Sequence, residues 1–382
     1  MSLPPTFTAH PLATALLASL AIGVGIVLTR TLHGKYSFDT VVGVQKVHHE
    51  QVPRIGGVAI FLGFFLGQFL AFDLAGGVLE STLALGLIAF SFGLMEDLSK
   101  KVPVALRLWA TMVPGVVGYF LTGYTLNQFG YGWLDLILQW PIVSIAFTAF
   151  AICGVTHAIN MIDGFNGLAG WTSVWILLGI AIIALSVGDV PLAMTATLIV
   201  ASVLGFLAIN WPWGKLFLGD GGAYFLGVSI AWLCVMLVSR NPQVSPFACL
   251  VLCSYPITEV LYSIARRTLS RMSSGRPDRL HLHQLIAITL IYPRLASLKP
   301  VYKNSATGFA VSCLSIPVVI LAITYSQEQS TLVWIFGAVV LGYIALYRIV
   351  WGRMNAKSNT QAASEVPSQH HANLPQGISS RD

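Results

Sequence analysis

Residues 217–238 read FLGDGGAYFLGVSIAWLCVMLV, and this stretch sets the kind of protein that the chain forms. A single carboxylate, Asp220, stands among glycines immediately before an apolar run that can cross a bilayer. Ionisable groups at a membrane boundary are costly and usually face a cavity or a partner. Gly221 and Gly222 leave room for a ligand near the backbone, as phosphate sites often require. We therefore expect Asp220 to hold a metal ion against a phosphate at the membrane surface.

The composition of the whole chain also indicates a membrane protein. Of its 382 residues, 55% are hydrophobic and only 9% are charged, and the mean hydropathy is +0.76. Soluble domains carry roughly 25% charged residues. Apolar runs that can span a bilayer recur near 11–29, 55–78, 81–95, 103–122, 138–156, 168–187, 191–211, 222–239, 246–265, 307–325 and 331–350. The predicted fold is an all-α polytopic membrane protein with about eleven transmembrane helices.

The domain organisation is simple. We expect one membrane domain over residues 1–354 and a disordered tail over 355–382, which is rich in Ser, Gln, Asn and Ala. The five cysteines lie in predicted helices without a CxxC motif, so they are expected to be packing residues.

Lysine and arginine residues decide the orientation. With eleven spans, all of the 21 Lys and Arg residues except Arg240 fall on one set of loops, which the positive-inside rule makes cytoplasmic. The N-terminus is then periplasmic and the C-terminus cytoplasmic, and the active site lies in the cytoplasmic loops. We attribute the net charge of +6 to this topology and to contact with anionic membrane lipids, not to nucleic-acid binding.

Five cytoplasmic segments carry the polar sequence. In chain order they hold Lys46 with Pro53-Arg-Ile-Gly-Gly57, Glu96-Asp97 with Arg107, Asn160-Met-Ile-Asp-Gly-Phe-Asn166, Phe217-Leu-Gly-Asp220, and Arg279-Leu-His-Leu-His283. The first is either a basic turn into a helix or a cationic lid over an anionic substrate. The adjacent carboxylates of the second are a pair neutralised by nearby lysines, metal ligands, or a site where one acid acts as a base.

The third and fifth segments also allow two interpretations each. If the helix extends through Asp163, then Asn160 and Asp163 share a face, and their oxygens suit a hard cation; the alternative is a helix cap and turn. His281 and His283 have no third nitrogen or sulfur ligand nearby, so they make a poor zinc site. They suit phosphate or sugar contacts, or simply a basic surface. All these segments lie on the cytoplasmic side, where a helix bundle can bring their acids together.

In this order and on one side of the membrane, the five motifs resemble those of the polyprenyl-phosphate N-acetylhexosamine-1-phosphate transferases, the MraY/WecA type of glycosyltransferase family 4. The resemblance covers nearly the whole chain, with motifs from Lys46 to Gln284. It implies that the phosphate of undecaprenyl phosphate attacks the β-phosphorus of a UDP-sugar and releases UMP. Mg²⁺, or Mn²⁺ in its place, is the implied cofactor, since Mg²⁺ prefers oxygen ligands and substrate phosphates. The implied setting is the bacterial inner membrane, with membrane lipids as partners and a homodimer as an open alternative.

The resemblance also implies catalytic and metal-binding residues. Asp220 and Asn160 resemble the metal ligands, with Asp163 beside them in the catalytic group. Asp97 resembles the family's essential acid, acting as a base or as an orienting group for the lipid phosphate, and Glu96 has an accessory role. Because the lipid phosphate is already largely ionised at cytoplasmic pH, positioning and charge neutralisation are expected to outweigh proton removal.

Substrate contacts follow from the same resemblance. Phe217 resembles the residue that stacks on uracil, and Asn166 one that reads the edge of that base. The remaining implied contacts with phosphates or the sugar come from Arg107, Arg279, His281, His283 and Lys46.

Four departures from the family pattern bear on sugar specificity more than on the reaction. Glu96 replaces the first acid of the usual Asp-Asp pair, Asn166 replaces an Asp, His157 stands where Asn is common, and Gln284 replaces a third His. The PRIGG and HLHQ forms are closer to the WecA-like branch, which starts lipid-linked envelope glycans of the O-antigen type, than to the peptidoglycan branch.

Two other functions remain as alternatives. One is the peptidoglycan-precursor phospho-MurNAc-pentapeptide transferase of the same superfamily. The other is a transporter or flippase, in which intramembrane acids would form a substrate path. The acids cluster at cytoplasmic helix ends rather than at mid-bilayer, which favours a transferase.

Overall fold

The computed structural model describes residues 9–38, 51–270 and 280–364, with side chains placed except at 9, 72–75 and 357–364. Two predicted site residues, Lys46 and Arg279, lie outside the described residues. The described part consists of helices and connecting loops, and its one β-type pairing is an isolated antiparallel bridge between Phe38 and Pro53. The prediction of an all-α membrane protein is therefore confirmed.

The helices follow one another through the chain with short connections. They are α1 Ala9–Leu28, α2 Arg30–Ser37, α3 Gly56–Gln68, α4 Phe72–Ser99, α5 Val104–Thr122, α6 Gly132–Leu138, α7 Pro141–Ile162, α8 Leu168–Ser186, α9 Val190–Asn210, α10 Gly219–Arg240, α11 Pro246–Leu252, α12 Ser254–Leu269, α13 Leu282–Ile286, α14 Tyr292–Arg294, α15 Pro300–Ser312, α16 Ser315–Thr324 and α17 Gln329–Ser364. A π-helix, Ala287–Ile291, connects α13 to α14. Helix α17 continues beyond residue 354, where the membrane domain was predicted to end.

Nine helical segments of the described chain are long and apolar enough to cross a membrane. Helices α11 and α12 form a tenth candidate that is bent by 74°, and α3 is apolar but only 13 residues long. The nine segments and the bent pair account for ten of the eleven predicted spans, and at the place of the remaining span α3 is shorter than a membrane-spanning helix. The predicted boundary between the second and third spans is wrong, because α3 already ends at Gln68 and α4 carries its own break at Gly76, where φ is +44°. Glycine tolerates such a conformation, which other residues rarely adopt.

Helix α10 is the centre of the bundle, with 94% of its spanning window buried, against 17% for α17. Small residues let its neighbours approach closely. Gly86 of α4 packs against Phe225, and the indole nitrogen of Trp232 donates to Ser81 Oγ of α4 at 3.1 Å. These contacts define an antiparallel pair, so the C-terminal end of α4 lies beside the N-terminal end of α10. This arrangement places Asp97 at the start of α10.

The end of the bundle opposite Asp220 holds Arg240, the one basic residue that the loop pattern separates from the other twenty. Arg240 donates to both carboxylate oxygens of Asp189, at 2.7 and 3.0 Å, and Asn241 Nδ2 donates to the same carboxylate at 3.1 Å. Burial by itself raises the pKa of Asp189, but the hydrogen bonds from Arg240 and Asn241 outweigh it and hold the pKa below its usual range. Arg240 therefore serves a structural ion pair between the α8–α9 loop and α10.

Candidate active site

The N-terminus of α10 is capped by a carboxylate from another helix. Asp97 Oδ1 accepts the backbone N–H of Asp220 and its Oδ2 accepts that of Gly221, both at 2.8 Å. The first N–H groups of a helix have no partner within the helix, and its N-terminal dipole favours negative charge. Gly219 has φ +76°, and a Cβ there would lie 2.6 Å from Asp97 Oδ2. The glycine is needed for the carboxylate to reach the helix end.

Two arginines neutralise the acids at this point. Arg54 Nη2 lies 2.6 Å from Asp220 Oδ1, and Arg54 Nε lies 3.6 Å from Asp97 Oδ1. Arg107 Nη1 lies 4.0 Å from Asp220 Oδ2, and the same guanidinium forms a close ion pair with Glu96. Asp97 and Asp220 are each only 4% exposed, so these cations compensate charges that water does not reach. We call these five residues the acid–arginine cluster.

Arg54 is held in place by backbone pairing between its own segment and the start of the α10 motif. The N–H of Phe217 donates to the carbonyl of Pro53, and the N–H of Gly57 donates to the carbonyl of Leu218, both at 2.9 Å. The two motifs therefore form one unit, although about 160 residues separate them in the chain. The sequence suggested a cationic lid here, but it did not single out Arg54 as a site residue.

The glycines after Asp220 pack against neighbouring helices and do not leave the expected room for a ligand near the backbone. A Cβ on Gly57 would lie 2.2 Å from the backbone nitrogen of Gly222. A Cβ on Gly93 would lie 2.5 Å from the carbonyl oxygen of Asp220 and 2.6 Å from the Cα of Gly221. The space is filled by α3 and α4. The glycines serve close helix packing, which brings Asp97 and Arg54 to Asp220.

Helix α7 brings Asn160 and Asp163 toward the acid–arginine cluster. The ring of His157 lies 5.7 Å from that of Tyr224, edge to face, and α7 runs antiparallel to α10. One turn further along α7, and one turn back along α10, Asn160 comes to the level of Asp220. Asp163 ends α7, and both Asn160 and Asp163 are half-buried. The register thus agrees with the predicted grouping.

The donor atoms suit a hard divalent cation in part. Asp220, Asn160 and Asp163 offer oxygen atoms, which Mg²⁺ prefers. Asp97 uses an acceptor site of each oxygen to cap α10, so its observed contacts give it a structural role at the site. In the ranges that the structure describes, no three His, Cys, Asp or Glu side chains converge as a metal site. Arg54 supplies the counter-charge to Asp220 in this arrangement.

A second cluster, formed by Glu259, His281 and His283, packs against the turn that follows Asp163. Glu259, which is fully buried in α12, lies 3.1 Å from His281 Nδ1 and 3.8 Å from His283 Nδ1. Glu259 was not identified as a site residue from the sequence. The feature that could have indicated it is a single acid within the apolar run 246–265. The two histidines are 5% and 1% exposed, which does not support their expected direct contact with phosphate or sugar.

Asn166 also differs from its predicted role. Its side chain is 3% exposed, and its Nδ2 donates to Ser305 Oγ at 3.1 Å. Its backbone N–H donates to Asn304 Oδ1 at 2.7 Å. Asn166 therefore fastens the α7–α8 loop to α15, and this buried position does not support contact with uracil. Phe217 is half-exposed, and its contact with uracil stays a prediction.

Fold and site together define a polytopic membrane protein with an acid–arginine cluster at one end of its helices. Residues 79–238 match the family described as Glycosyl transferase family 4. This match supports the superfamily that the motifs predicted.

Curated relatives agree with this placement. The chain is 32% identical over 252 residues to a "Probable undecaprenyl-phosphate N-acetylglucosaminyl 1-phosphate transferase" of Bacillus subtilis, covering 63% of this chain and 66% of the relative. It is 28% identical over 268 residues to a "Decaprenyl-phosphate N-acetylglucosaminephosphotransferase" of Mycobacterium tuberculosis, covering 62% and 66%. It is 26% identical over 254 residues to an "Undecaprenyl-phosphate alpha-N-acetylglucosaminyl 1-phosphate transferase" of Escherichia coli, covering 63% and 67%. The chain thus matches about two thirds of the length of these relatives.

Proposed function

We propose that this chain transfers N-acetylhexosamine-1-phosphate from a UDP-sugar to a polyprenyl phosphate at the cytoplasmic face of the bacterial inner membrane. The observation that carries the proposal is the acid–arginine cluster, which gathers three carboxylates and two guanidinium groups at one end of a membrane-spanning bundle. The names of the relatives support undecaprenyl phosphate as the acceptor and N-acetylglucosamine as the sugar.

The reaction needs in-line positioning of two anions. An oxygen of the lipid phosphate forms a bond to the β-phosphorus of the UDP-sugar, and the bond from that phosphorus to the bridging oxygen breaks. UMP leaves with the electron pair, and the lipid keeps a pyrophosphate sugar. Since both reactants are negatively charged, catalysis rests on charge neutralisation and alignment rather than on proton removal.

The residues of this chain divide these tasks. Arg54 and Arg107 supply fixed positive charge around Asp220, and they hold it before the substrates arrive. Asp97 fixes the first turn of α10 and acts as an orienting group, since its oxygens are occupied by backbone donors. Asp220 and Asn160, with Asp163 beside them, would hold Mg²⁺ or Mn²⁺, and the bound cation would neutralise the donor pyrophosphate.

The product is a lipid-linked sugar that starts an envelope glycan of the O-antigen type. The relatives are named for N-acetylglucosamine transfer, which supports this branch over the peptidoglycan precursor transferase. The match to a glycosyl transferase family favours a transferase over a transporter or flippase.

The test is an assay of UMP release by the purified protein with undecaprenyl phosphate, Mg²⁺ and a panel of UDP-N-acetylhexosamines. We expect release with UDP-N-acetylglucosamine and none with UDP-N-acetylmuramoyl-pentapeptide. Release with the pentapeptide donor alone would move the chain to the peptidoglycan branch. Absence of UMP with every donor would overturn the proposal.

A further inference from the structure

Glu259 is a buried carboxylate that the reaction described above does not use. Its side chain is fully buried in α12, and the partners of its oxygens come from a segment more than twenty residues later. Oε1 lies 3.1 Å from His281 Nδ1 and accepts the backbone N–H of Leu282 at 3.2 Å. Oε2 lies 3.8 Å from His283 Nδ1, and neither of these two atoms has a closer hydrogen-bond partner among the described residues.

A group of this kind is poorly explained by stability alone. Moving a carboxylate out of water costs several kcal/mol, and a buried ion pair is often no more stabilising than apolar residues of the same volume. Buried ionisable residues within apolar helices usually mark a functional site.

The histidines connect Glu259 to the turn after Asp163. Their rings are stacked, with centroids 5.3 Å apart and planes inclined by 5°. Because both Nδ1 atoms face Glu259, both Nε2 atoms point the other way. His283 Nε2 lies against Gly164, where an added Cβ would be 3.3 Å from it, and the His283 ring packs edge to face on Phe165 at 5.6 Å.

His283 is suited to a supporting contact rather than to phosphate binding. Burial lowers its pKa to about 4, against the opposing effect of the Glu259 carboxylate. The ring is therefore neutral at pH 7 and does not act as a cation for a phosphate. A neutral histidine donates at one nitrogen and accepts at the other, and a neighbouring carboxylate decides which nitrogen carries the proton.

We propose that Glu259 is a positioning residue that acts through His281 and His283 on the turn Asp163-Gly164-Phe165. The carboxylate fixes the rings from behind, and the His283 ring fixes the turn that directs Asp163 into the site. This role rests on the proposed function, in which Asp163 belongs to the catalytic group. It accounts for two histidines that the fold buries away from the substrate.

The first test compares Glu259→Gln, which keeps the shape and removes the charge, with Glu259→Asp, which keeps the charge. We expect Glu259→Gln to lower kcat about tenfold to a hundredfold, as loss of an outer partner of a functional histidine does. The KM for the UDP-sugar should change little, because Glu259 touches no substrate. Glu259→Asp should recover most of the lost kcat. Asp189→Asn, which removes a buried carboxylate at the other end of the bundle, is the matched control and should keep its kcat.

A double-mutant cycle then asks whether Glu259 acts through Asp163. If it does, Asp163→Asn already removes the benefit, so adding Glu259→Gln should cost little more activity. Combining Asp163→Asn with Asp189→Asn should give additive effects. Wild-type kcat in Glu259→Gln, or full additivity of Glu259→Gln with Asp163→Asn, would overturn the inference.

Hydrogen exchange gives a readout that does not depend on turnover. The peptide covering residues 160–168 should exchange faster in Glu259→Gln than in the wild type, while the peptides of α1 should not change. An unchanged 160–168 peptide would overturn the inference even if the enzyme is active. Faster exchange in a protein that releases no UMP would support the contact and overturn only the proposed function. If Glu259→Gln does not fold, His283→Gln takes its place, and a wild-type kcat together with wild-type exchange of the 160–168 peptide in that variant would overturn the inference.

Discussion

Arg54 Nη2 lies 2.6 Å from Asp220 Oδ1, although 166 residues separate the two in the chain. The arginine is 38% exposed at its side chain, whereas the carboxylate is 5% exposed. The pair therefore lies at the edge of the site, with the acid inside and the cation toward solvent. A charge-assisted bond of this length is roughly twice as strong as a neutral hydrogen bond, so Arg54 fixes the acid before any ligand binds.

Asp220→Asn should abolish most of the transferase activity while the protein stays folded. The amide keeps the shape of the side chain and can still accept a hydrogen bond from Arg54, but it carries no negative charge for an ion pair or for a metal ion. We expect a loss of about 10²–10³ in UMP release, the size seen when one electrostatic group is removed from an active site. Size-exclusion chromatography checks the fold, and Glu80→Gln, an exposed acid of α4, is the control. Full activity in Asp220→Asn would refute the assignment of this acid.

Replacing Arg54 should separate charge from geometry. Arg54→Lys keeps a positive charge but loses the planar fork that reaches both Asp220 and Asp97. Arg54→Ala leaves two buried acids less compensated and should destabilise the protein by about 1–3 kcal/mol. We expect activity to fall in the order wild type, Lys, Ala, measured by UMP release, with thermal unfolding in detergent as the second readout. Equal activity of the Lys and Ala variants would show that the positive charge at this position does not matter.

Gly57→Ala should disrupt the contact between α3 and α10. Its Cβ would lie 2.2 Å from the backbone nitrogen of Gly222, and two backbones cannot both yield. Overpacking of this kind costs typically about 1–3 kcal/mol, and it would also displace Arg54. Gly25→Ala in α1 is the matched control, because nothing lies within 4 Å of its Cβ. We expect lower activity and a lower Tm for Gly57→Ala only, and equal Tm values for the two variants would contradict the packing argument.

The ion pair between Arg240 and Asp189, at the opposite end of the bundle from Asp220, should make the stability of the protein depend on pH without affecting catalysis. Since the folded-state pKa of Asp189 is below the usual 3.8, the pair stabilises the protein above that value and is lost as the pH falls through the folded-state pKa. The Tm difference between the wild type and Asp189→Asn should therefore be constant from pH 7 to about pH 5 and should shrink below about pH 4. A difference that persists unchanged into strong acid would show that charge is not its cause.

Residue patterns identified some of the acids of the site, but they did not identify the residues that these acids contact. Asp97 and Asp220 could be selected because acids at a membrane boundary are costly and therefore conspicuous in an apolar sequence. Arg54 could not be selected, because a basic loop residue near a membrane has an ordinary explanation in the positive-inside rule. Glu259 was overlooked inside an apolar run, since its histidine partners follow only more than twenty residues later in the chain.

Residue type and motif position also did not predict which polar side chains are buried. His281, His283 and Asn166 were expected to touch substrate from their types and motif positions, yet each is at most 5% exposed. The glycines near Asp220 were interpreted as open space, and the fold fills that space with two other helices. Residue type indicates what a side chain can do, whereas burial by distant elements decides whether a ligand can reach it.

The sequence by itself determined the membrane class, the helical fold, the family and the order of the polar motifs, because hydropathy and motif spacing are properties of short segments. Only the tertiary structure decided that Asp97 caps α10 and that Arg54 compensates Asp220. It also decided that Glu259 supports the histidines behind Asp163. These contacts join residues more than twenty, and up to 166, positions apart. Their geometry depends on how closely glycine-lined helices approach one another, which no local pattern encodes.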